Sequence, residues 1–210
     1  MARSLKKLIA AVFCLVLLFE LSSCAVNTKS AEQTGFSMGS LVGIKLYGKN
    51  SEALENANLL AEVVKTDERI SKNYEGSDIY RVNSSGEHGE TVSSETYDEL
   101  RTVCDVYSDS HGKAAVLSGA LTELWGFDTD EFRLPSEDEI LSAKEKCGDD
   151  KLIFGDGKKV YIPDGAKLNL GSAGKGIALD EAVKRIDEIN SQGGKITGAV
   201  ISVGGSVATY

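Results

Sequence analysis

The sequence contains few of the side chains that hold transition metals most often in proteins. Only two of its 210 residues are histidine, and only four are cysteine. Two of the cysteines, Cys104 and Cys147, lie far apart in the chain, which is not the spacing of a metal-binding motif. Both fall at apolar positions of predicted helices, so buried thiols are favoured over a disulfide.

Positive charge is also scarce. The chain has 23 lysine and arginine residues against 32 aspartate and glutamate residues, and its formal net charge is -9. An acidic surface of this kind argues against nucleic-acid binding and against a membrane surface recognised through basic side chains. We therefore expect no nucleic-acid partner.

The sequence has only one long apolar run, at residues 8–19, which is shorter than the roughly 20 residues of a transmembrane helix. Basic residues precede it, and Leu-Ser-Ser-Cys follows at residues 21–24. This arrangement resembles the signal of a bacterial lipoprotein, in which Cys24 is lipidated. The alternative is a signal anchor that happens to contain Cys24.

These segments predict the organisation of the chain. We expect a lipoprotein signal peptide over residues 1–23, a polar tether over 24–34 and one domain over 35–210. A protein with this organisation is extracytoplasmic and lipid-anchored to the bacterial cell membrane, and its membrane association comes from the lipid alone.

Hydrophobic periodicity in the domain predicts strands and helices that alternate without a repeating unit. The predicted strands cover residues 41–47, 152–154, 160–162, 168–170 and 199–203. Helices are expected from Ser51 to about Val64, after Ser94, after Ser136 and from about residue 174 onward. The third has a capping-box pattern in Ser136 and Glu139. An α+β or mixed α/β fold follows.

The residues from 168 to 180 form the most informative segment, a short apolar stretch followed by a glycine-rich turn and a helix. Gly171, Gly174 and Gly176 surround Lys175 in this turn. Glycines allow close approach to a ligand, and a helix N-terminus offers free N–H groups to an anion. The spacing matches neither a Walker A motif nor a dinucleotide fingerprint. The segment therefore predicts a phosphate site of another kind, although Lys175 could also be a solvated lysine.

Further segments share an order along the chain with the glycine-rich turn. They are Phe-Ser-Met-Gly-Ser at 36–40, Ile-Ser-Lys-Asn-Tyr at 70–74 followed by Ser77-Asp78-Ile79 and Asn83, Gly-Ala-Leu-Thr-Glu-Leu-Trp-Gly-Phe at 119–127 and Val-Gly-Gly-Ser at 203–206. Together with 168–180 they resemble the ApbE family of flavin transferases, the FAD:protein FMN transferases.

The resemblance implies a T-fold-like α+β domain, FAD as donor substrate and Mg²⁺. In the implied reaction FMN is joined through a phosphoester to a threonine or serine of an acceptor flavoprotein, such as a subunit of a membrane redox complex, and AMP is released. Lys175 would contact FAD, Met38 and Tyr74 would contact its flavin or adenine part, and Ser172 matches a magnesium ligand. The remaining FAD-contacting positions correspond to Lys113, Ala114, Ala115 and Asn169.

Several positions depart from the family pattern. Ala115 and Asn169 stand where members have aspartates, and Ala114 stands where they have an aromatic residue. Members also continue beyond the position of Tyr210 with further metal ligands, so the sequence predicts a domain that is incomplete at its C-terminus. The alternatives to a transferase are an FAD-binding lipoprotein without transfer activity and an inactive fragment. Of the two histidines, His111 is the better candidate for a catalytic role, although His88 and His111 are both expected to be solvated.

Overall fold

The computed structural model describes residues 28–127, 129 and 131–210. The predicted signal peptide and Cys24 lie outside the described residues. The helices and strands follow in the order β1 (Lys29–Ser37), β2 (Ser40–Gly48), α1 (Ser51–Asn56), α2 (Leu59–Ile70), α3 (Asp78–Ser85), β3 (Glu90–Thr91), α4 (Ser94–Asp109), α5 (Gly119–Trp125), α6 (Glu137–Lys144), β4 (Ile153–Gly155), β5 (Lys159–Tyr161), α7 (Gly174–Ser191), β6 (Ile196–Val203) and β7 (Ser206–Thr209).

The strands form two antiparallel sheets, in the orders β1-β2-β6-β7 and β3-β5-β4. The prediction of an α+β fold is therefore confirmed. Among the described residues, none of the helices combines the length and the apolar composition that a membrane span requires.

The larger sheet packs one face against α2 and α7. Alternate residues Val42, Ile44 and Leu46 of β2 are at most 3% exposed, and they join buried side chains of both helices in one core. Burying each large aliphatic side chain stabilises the fold by about 1.5–3 kcal/mol relative to leaving it exposed.

A second core lies among α3, α4 and the smaller sheet, and it includes Ile79, Leu100, Val160 and Leu168. The ends of α2 and α7 also enter it, through Ile70 and Ile177. Both helices therefore connect the two cores. The C-terminal end of α2 and the N-terminal end of α7 make this connection, and they adjoin the motif segments at 70–74 and 168–180.

The predicted tether is wrong over residues 29–34, which belong to β1 and pair with β2 throughout. The side chain of Gln33 also accepts a hydrogen bond from the N–H of Leu60 at 2.9 Å. The strand is polar because one face of the sheet is exposed to solvent. It is held in the sheet by backbone hydrogen bonds to β2, which its polar composition does not reveal.

The helix predicted from Ser51 to Val64 is two helices, α1 and α2. Asn58 between them has a left-handed backbone conformation, with φ 46°, and the cap of α1 is Asn50 instead of Ser51. Within α2, Leu59 and Val63 are buried, whereas Ala61 is exposed.

Residues 168–170 do not form the predicted strand. A 3-10 turn covers Leu170–Ser172 instead. The side chain of Asn83 occupies the place of a neighbouring strand. Its Oδ1 accepts the N–H of Leu168 at 2.7 Å, and its Nδ2 donates to the carbonyl of Leu168 at 2.9 Å. These bonds satisfy an extended segment outside either sheet.

The other predicted elements are present. The capping box of Ser136 and Glu139 starts α6, the segment from Ser94 forms α4, and β4 pairs with β5 across the turn at Gly157. Cys104 and Cys147 are free thiols, as predicted, and both are half-buried. Burial raises the pKa of the Cys104 thiol to about 11, so this side chain is a neutral packing group at physiological pH.

Candidate functional site

The first part of the site is the two-residue turn that joins β1 to β2. Met38 and Gly39 both have positive φ, 52° and 65°, as in the mirror-image turns that suit a β-hairpin. Oδ2 of Asp67, in the last turn of α2, accepts the N–H of Met38 at 2.7 Å and the hydroxyl of Ser37 at 2.9 Å. Because positive φ is uncommon for a residue with a side chain, this carboxylate stabilises the turn where support is needed.

The second part is the glycine-rich loop before α7. Oδ1 of Asn169 accepts the N–H of Gly171 at 3.0 Å, and its Nδ2 donates to Oγ1 of Thr122 at 3.0 Å. Helix α7 begins at Gly174 without a side-chain cap. The N–H groups of its first turn, at Gly174, Lys175 and Gly176, therefore remain available to an anion.

These two parts meet at a cavity of about 370 Å³. It is lined by Met38, Gly39, Asp67, Ile70, Ser71, Lys72, Asn73, Asn169, Leu170, Gly171, Gly174 and Lys175. The volume lies within the range of about 300–1,000 Å³ that is typical of small-molecule sites. Three segments that are distant in sequence thus form one concave surface.

The turn between β6 and β7 lies beside the lysine of this cavity. A Cβ atom at Gly204 would lie 2.8 Å from Nζ of Lys175 and 3.0 Å from Oγ of Ser40, and Gly204 has φ +63°. The positive φ favours glycine at this position, because a residue with a side chain would be strained there. The Val-Gly-Gly-Ser segment is therefore brought to the same place as the glycine-rich loop.

The positive groups of the cavity are arranged for an anion. Lys175 contributes a full positive charge, and the free N–H groups of α7 contribute the positive end of the helix dipole. Gly171 and Gly174 leave room for a ligand near the backbone. The arrangement suits a phosphate or pyrophosphate group next to α7, and Met38 adds apolar surface to the cavity lining.

The predicted site residues fall into two groups. Met38, Asn169 and Lys175 line the cavity, whereas Tyr74, Lys113, Ala114, Ala115 and Ser172 do not. Tyr74 is 55% exposed and follows Asn73 of the lining. Ser172, Lys113 and Ala114 are exposed, Ala115 is half-buried, and His88 and His111 are both exposed.

The sequence alone did not identify Asp67 as a site residue. It also did not identify Asn83 and Thr122 as residues that hold the segment of the glycine-rich loop in place. Asp67 occupies one position in a helix that is otherwise amphipathic, and no local pattern distinguishes it from a solvated acid. Asn83 belongs to one of the family-like motifs, but its hydrogen-bond partner Leu168 is 85 residues away in sequence. Only the tertiary structure assigns these side chains.

Asp67 is the one carboxylate among the residues that line the cavity. No group of three or more histidine, cysteine, aspartate or glutamate side chains in the described part of the chain could hold a metal ion. The amide of Asn169 is engaged by Gly171 and Thr122, and Ser172 lies outside the cavity lining.

Comparison with known proteins gives concordant matches. The family model described as "ApbE family" matches residues 38–210. A FAD:protein FMN transferase of Haemophilus influenzae is 21% identical over 215 residues, covering 97% of this chain and 61% of the relative.

Solved structures agree with the fold. The ApbE protein of Thermotoga maritima superposes with a TM-score of 0.76 at 25% identity, over 86% of this chain and 59% of that one. The apo form of the Pseudomonas stutzeri flavinyl transferase ApbE gives a TM-score of 0.74 at 23% identity, over 87% of this chain and 58% of that one. The chain thus spans about three-fifths of the length of these relatives.

Proposed function

Because the chain belongs to the ApbE family, we propose that it transfers FMN from FAD to a threonine or serine hydroxyl of an acceptor flavoprotein. The relative from Haemophilus influenzae is a FAD:protein FMN transferase, which supports this reaction. The observation that carries the proposal is the cavity itself. The turn at Met38, the segment Ser71–Asn73 and the glycine-rich loop converge on it, with Lys175 and the free end of α7 at one wall.

The cavity suits the central part of FAD. The pyrophosphate of FAD is an anion, and it would take the N–H groups of Gly174 and Lys175 together with the ammonium group of Lys175. FAD is larger than the cavity, so one of its ring systems must extend along or beyond the rim. Tyr74, which is exposed and adjacent to Asn73, offers an aromatic surface there.

The transfer follows from this placement. The acceptor hydroxyl oxygen forms a bond to the phosphorus of the FMN half, the bond from that phosphorus to the oxygen of AMP breaks, and the hydroxyl proton is released as AMP departs. Negative charge accumulates on the phosphate oxygens during this displacement. Lys175 and the N-terminus of α7 stabilise that charge because they are already oriented toward it.

We propose the requirement for Mg²⁺ on the family resemblance alone. In phosphate-binding proteins Mg²⁺ commonly takes one or two carboxylates and completes its coordination with substrate phosphates and water. Asp67 is the carboxylate that lines the cavity. Titration of the chain with FAD in the presence and absence of Mg²⁺ tests the requirement, and equal FAD affinity and equal transfer in both would refute it.

The second candidate function is FAD binding without transfer. The lack of a cluster of acidic, histidine or cysteine ligands among the described residues favours it. The two functions share the cavity and differ only in whether FMN leaves it.

One experiment separates them. The 210-residue chain is incubated with FAD, Mg²⁺ and an acceptor flavoprotein, and flavin fluorescence on the acceptor is read after denaturing electrophoresis while retained FAD is measured separately. We expect labelled acceptor and released AMP. Retained FAD without label would support the binding function, and neither signal would support an inactive fragment.

Lys175→Ala tests the role of the lysine in either function. We expect the dissociation constant of FAD to rise about 10- to 150-fold, since a hydrogen bond to a charged group contributes about 1.5–3 kcal/mol. Lys65→Ala is the matched control, because Lys65 is exposed on α2 and pairs only locally with Glu62. Equal FAD affinity in wild type and Lys175→Ala would refute the assigned contact.

We propose that the protein is held at the extracytoplasmic face of the membrane by lipid on Cys24, where an acceptor in a membrane redox complex would be within reach. The proposal rests on the Leu-Ser-Ser-Cys segment after the apolar run. Labelling of cells with radioactive palmitate tests it, with Cys24→Ser compared to Cys14→Ser. Label that persists in Cys24→Ser would overturn the anchor.

A further inference from the structure

A second segment runs directly beside the residues that enter the glycine-rich loop. The carbonyl of Val116 accepts the N–H of Asn169 at 2.8 Å, and the N–H of Gly119 donates to the carbonyl of Lys167 at 2.8 Å. A Cβ at Gly119 would lie 2.8 Å from that carbonyl oxygen. Residues 116–119, which we call the support segment, therefore set where the backbone of residues 167–169 lies.

The support segment is held from its other side by a buried carboxylate. Asp149 is 2% exposed. Its Oδ1 accepts the N–H of Leu117 at 2.6 Å and that of Val116 at 2.9 Å, and its Oδ2 lies 3.0 Å from the same Val116 nitrogen. The N–H of Gly148 also donates to the carbonyl of Leu117 at 3.1 Å. Consecutive backbone N–H groups are thus bound by one rigid planar group.

Burying a carboxylate at this position costs free energy of desolvation, which an apolar side chain in the same place would not. Burial raises the pKa of Asp149, while hydrogen bonds from Leu117 and Val116 act in the opposite direction. A buried charged group is tolerated only when strong hydrogen bonds satisfy it, and its removal leaves backbone donors unpaired. The Asp149 carboxylate therefore holds the support segment through the N–H groups of Val116 and Leu117.

The support segment reaches the glycine-rich loop by two routes. The first is the bond from the N–H of Asn169 to the carbonyl of Val116. The second passes through α5, which begins at Gly119 and carries Thr122, the acceptor of the Asn169 side-chain amide. Asn169 in turn holds the N–H of Gly171. A shift of the support segment would move both the backbone of Asn169 and the partner of its side chain.

We propose that Asp149 is a positioning residue of the FAD site, which acts through the support segment and Asn169 to hold the glycine-rich loop in its binding geometry. The inference rests on the proposed function for its ligand, although the structural connection does not. Asp149 itself does not line the cavity. Its effect on FAD is therefore indirect and can be separated from contact effects.

The test compares Asp149→Asn with Asp150→Asn in the 210-residue chain. Asp150 is the exposed neighbour, so its variant controls for the loss of one charge. Backbone hydrogen exchange is measured without FAD, and the dissociation constant of FAD is measured by titration. In Asp149→Asn we expect at least tenfold faster exchange at Asn169 and Gly171, unchanged exchange in β2 and β6, and about tenfold weaker FAD binding. Asp150→Asn should match wild type in all three.

A purely structural role would give a different result. If Asp149→Asn accelerated exchange equally throughout the chain, or left exchange at Asn169 and Gly171 and the affinity for FAD unchanged, the proposal would be overturned. If wild type failed to bind FAD while the local exchange effect appeared, the proposed function would fail and the structural connection would stand.

A second variant keeps the test decisive if Asp149→Asn does not fold. Thr122→Val removes the second route without disturbing the buried carboxylate. We expect it to accelerate exchange at Gly171 and to weaken FAD binding less than Asp149→Asn does. Where both fold, the double variant should lose less affinity than the sum of the single losses, because both act on Asn169. Wild-type exchange at Gly171 in Thr122→Val, or full additivity, would contradict the proposed connection.

Discussion

At the scale of single residues, the chain replaces charge with hydrogen bonding at the glycine-rich loop. Asn169 stands where the family resemblance implies an acid, and its amide uses both ends, one for Gly171 and one for Thr122. A carboxylate could accept from Gly171 but could not donate to Thr122. The residue is therefore a structural element of the loop in this chain, and the positively charged side chains of the cavity lining are Lys72 and Lys175.

Sequence reasoning identified Met38, Asn169 and Lys175 but not Asp67 or Asp149. The first three lie in segments whose glycines or motif context distinguish them from their surroundings. Asp67 and Asp149 are acids among many, and what distinguishes them is the backbone N–H groups that they accept. Those donors come from segments about 30 residues away, which no local pattern encodes.

Asp67→Ala tests the role of the carboxylate at the β1–β2 turn. The variant leaves the N–H of Met38 without its acceptor at a residue with positive φ, so we expect the free energy of unfolding to fall by about 1–3 kcal/mol. Urea unfolding measures this change. Asp67→Asn retains an oxygen acceptor and should lose less. A stability of Asp67→Ala equal to that of wild type would refute the assigned role.

At the scale of elements, the sequence predicted helices well where a cap and a single apolar face coincide. The capping box of α6 is the clearest case, since Ser136 and Glu139 bind each other's backbone N–H groups as their spacing predicts. The prediction of one helix from Ser51 was wrong because Asn58, in a left-handed backbone conformation, interrupts an apolar pattern that looks continuous. Most of strand β1 was missed because an edge strand with one solvated face contains few apolar residues, so its sequence does not show an apolar pattern.

The capping box also predicts a pH dependence. Hydrogen bonds from the N–H and hydroxyl of Ser136, together with Arg133, lower the pKa of Glu139 from 4.5 to about 2. A lowered carboxylate pKa stabilises the folded state above the unfolded pKa, and this contribution is lost as pH falls from about 4.5 toward 2. Titration of the Glu139 carboxyl carbon by NMR measures the shift.

Ser136→Ala supplies the control for that measurement. It removes the hydroxyl donor but keeps the backbone donor, so the pKa of Glu139 should rise part of the way toward its ordinary value. A titration midpoint near 4.5 in wild type would contradict the capping geometry.

At the scale of the whole molecule, the cavity lies where the two cores meet. Met38 packs against both of them, and Ile70 and Ile177 carry α2 and α7 from the first core into the second. The fold class was predictable from alternating elements, but the sheet pairing was not. Strands β2 and β6 pair Val42 with Val203, and nothing local to either strand specifies a partner that distant. This long-range pairing is what brings Gly204 to Lys175.

The most direct test of the proposed site is an NMR titration of the ¹⁵N-labelled 210-residue chain with FAD. We predict that amide shifts change first at Gly39, Asn73, Gly171, Gly174 and Lys175, around the cavity that the separated segments form. Binding that left these amides unchanged and instead shifted residues of the groove between α4 and α7, such as Val103 and Asp180, would contradict the account, as would the absence of any shift at saturating FAD.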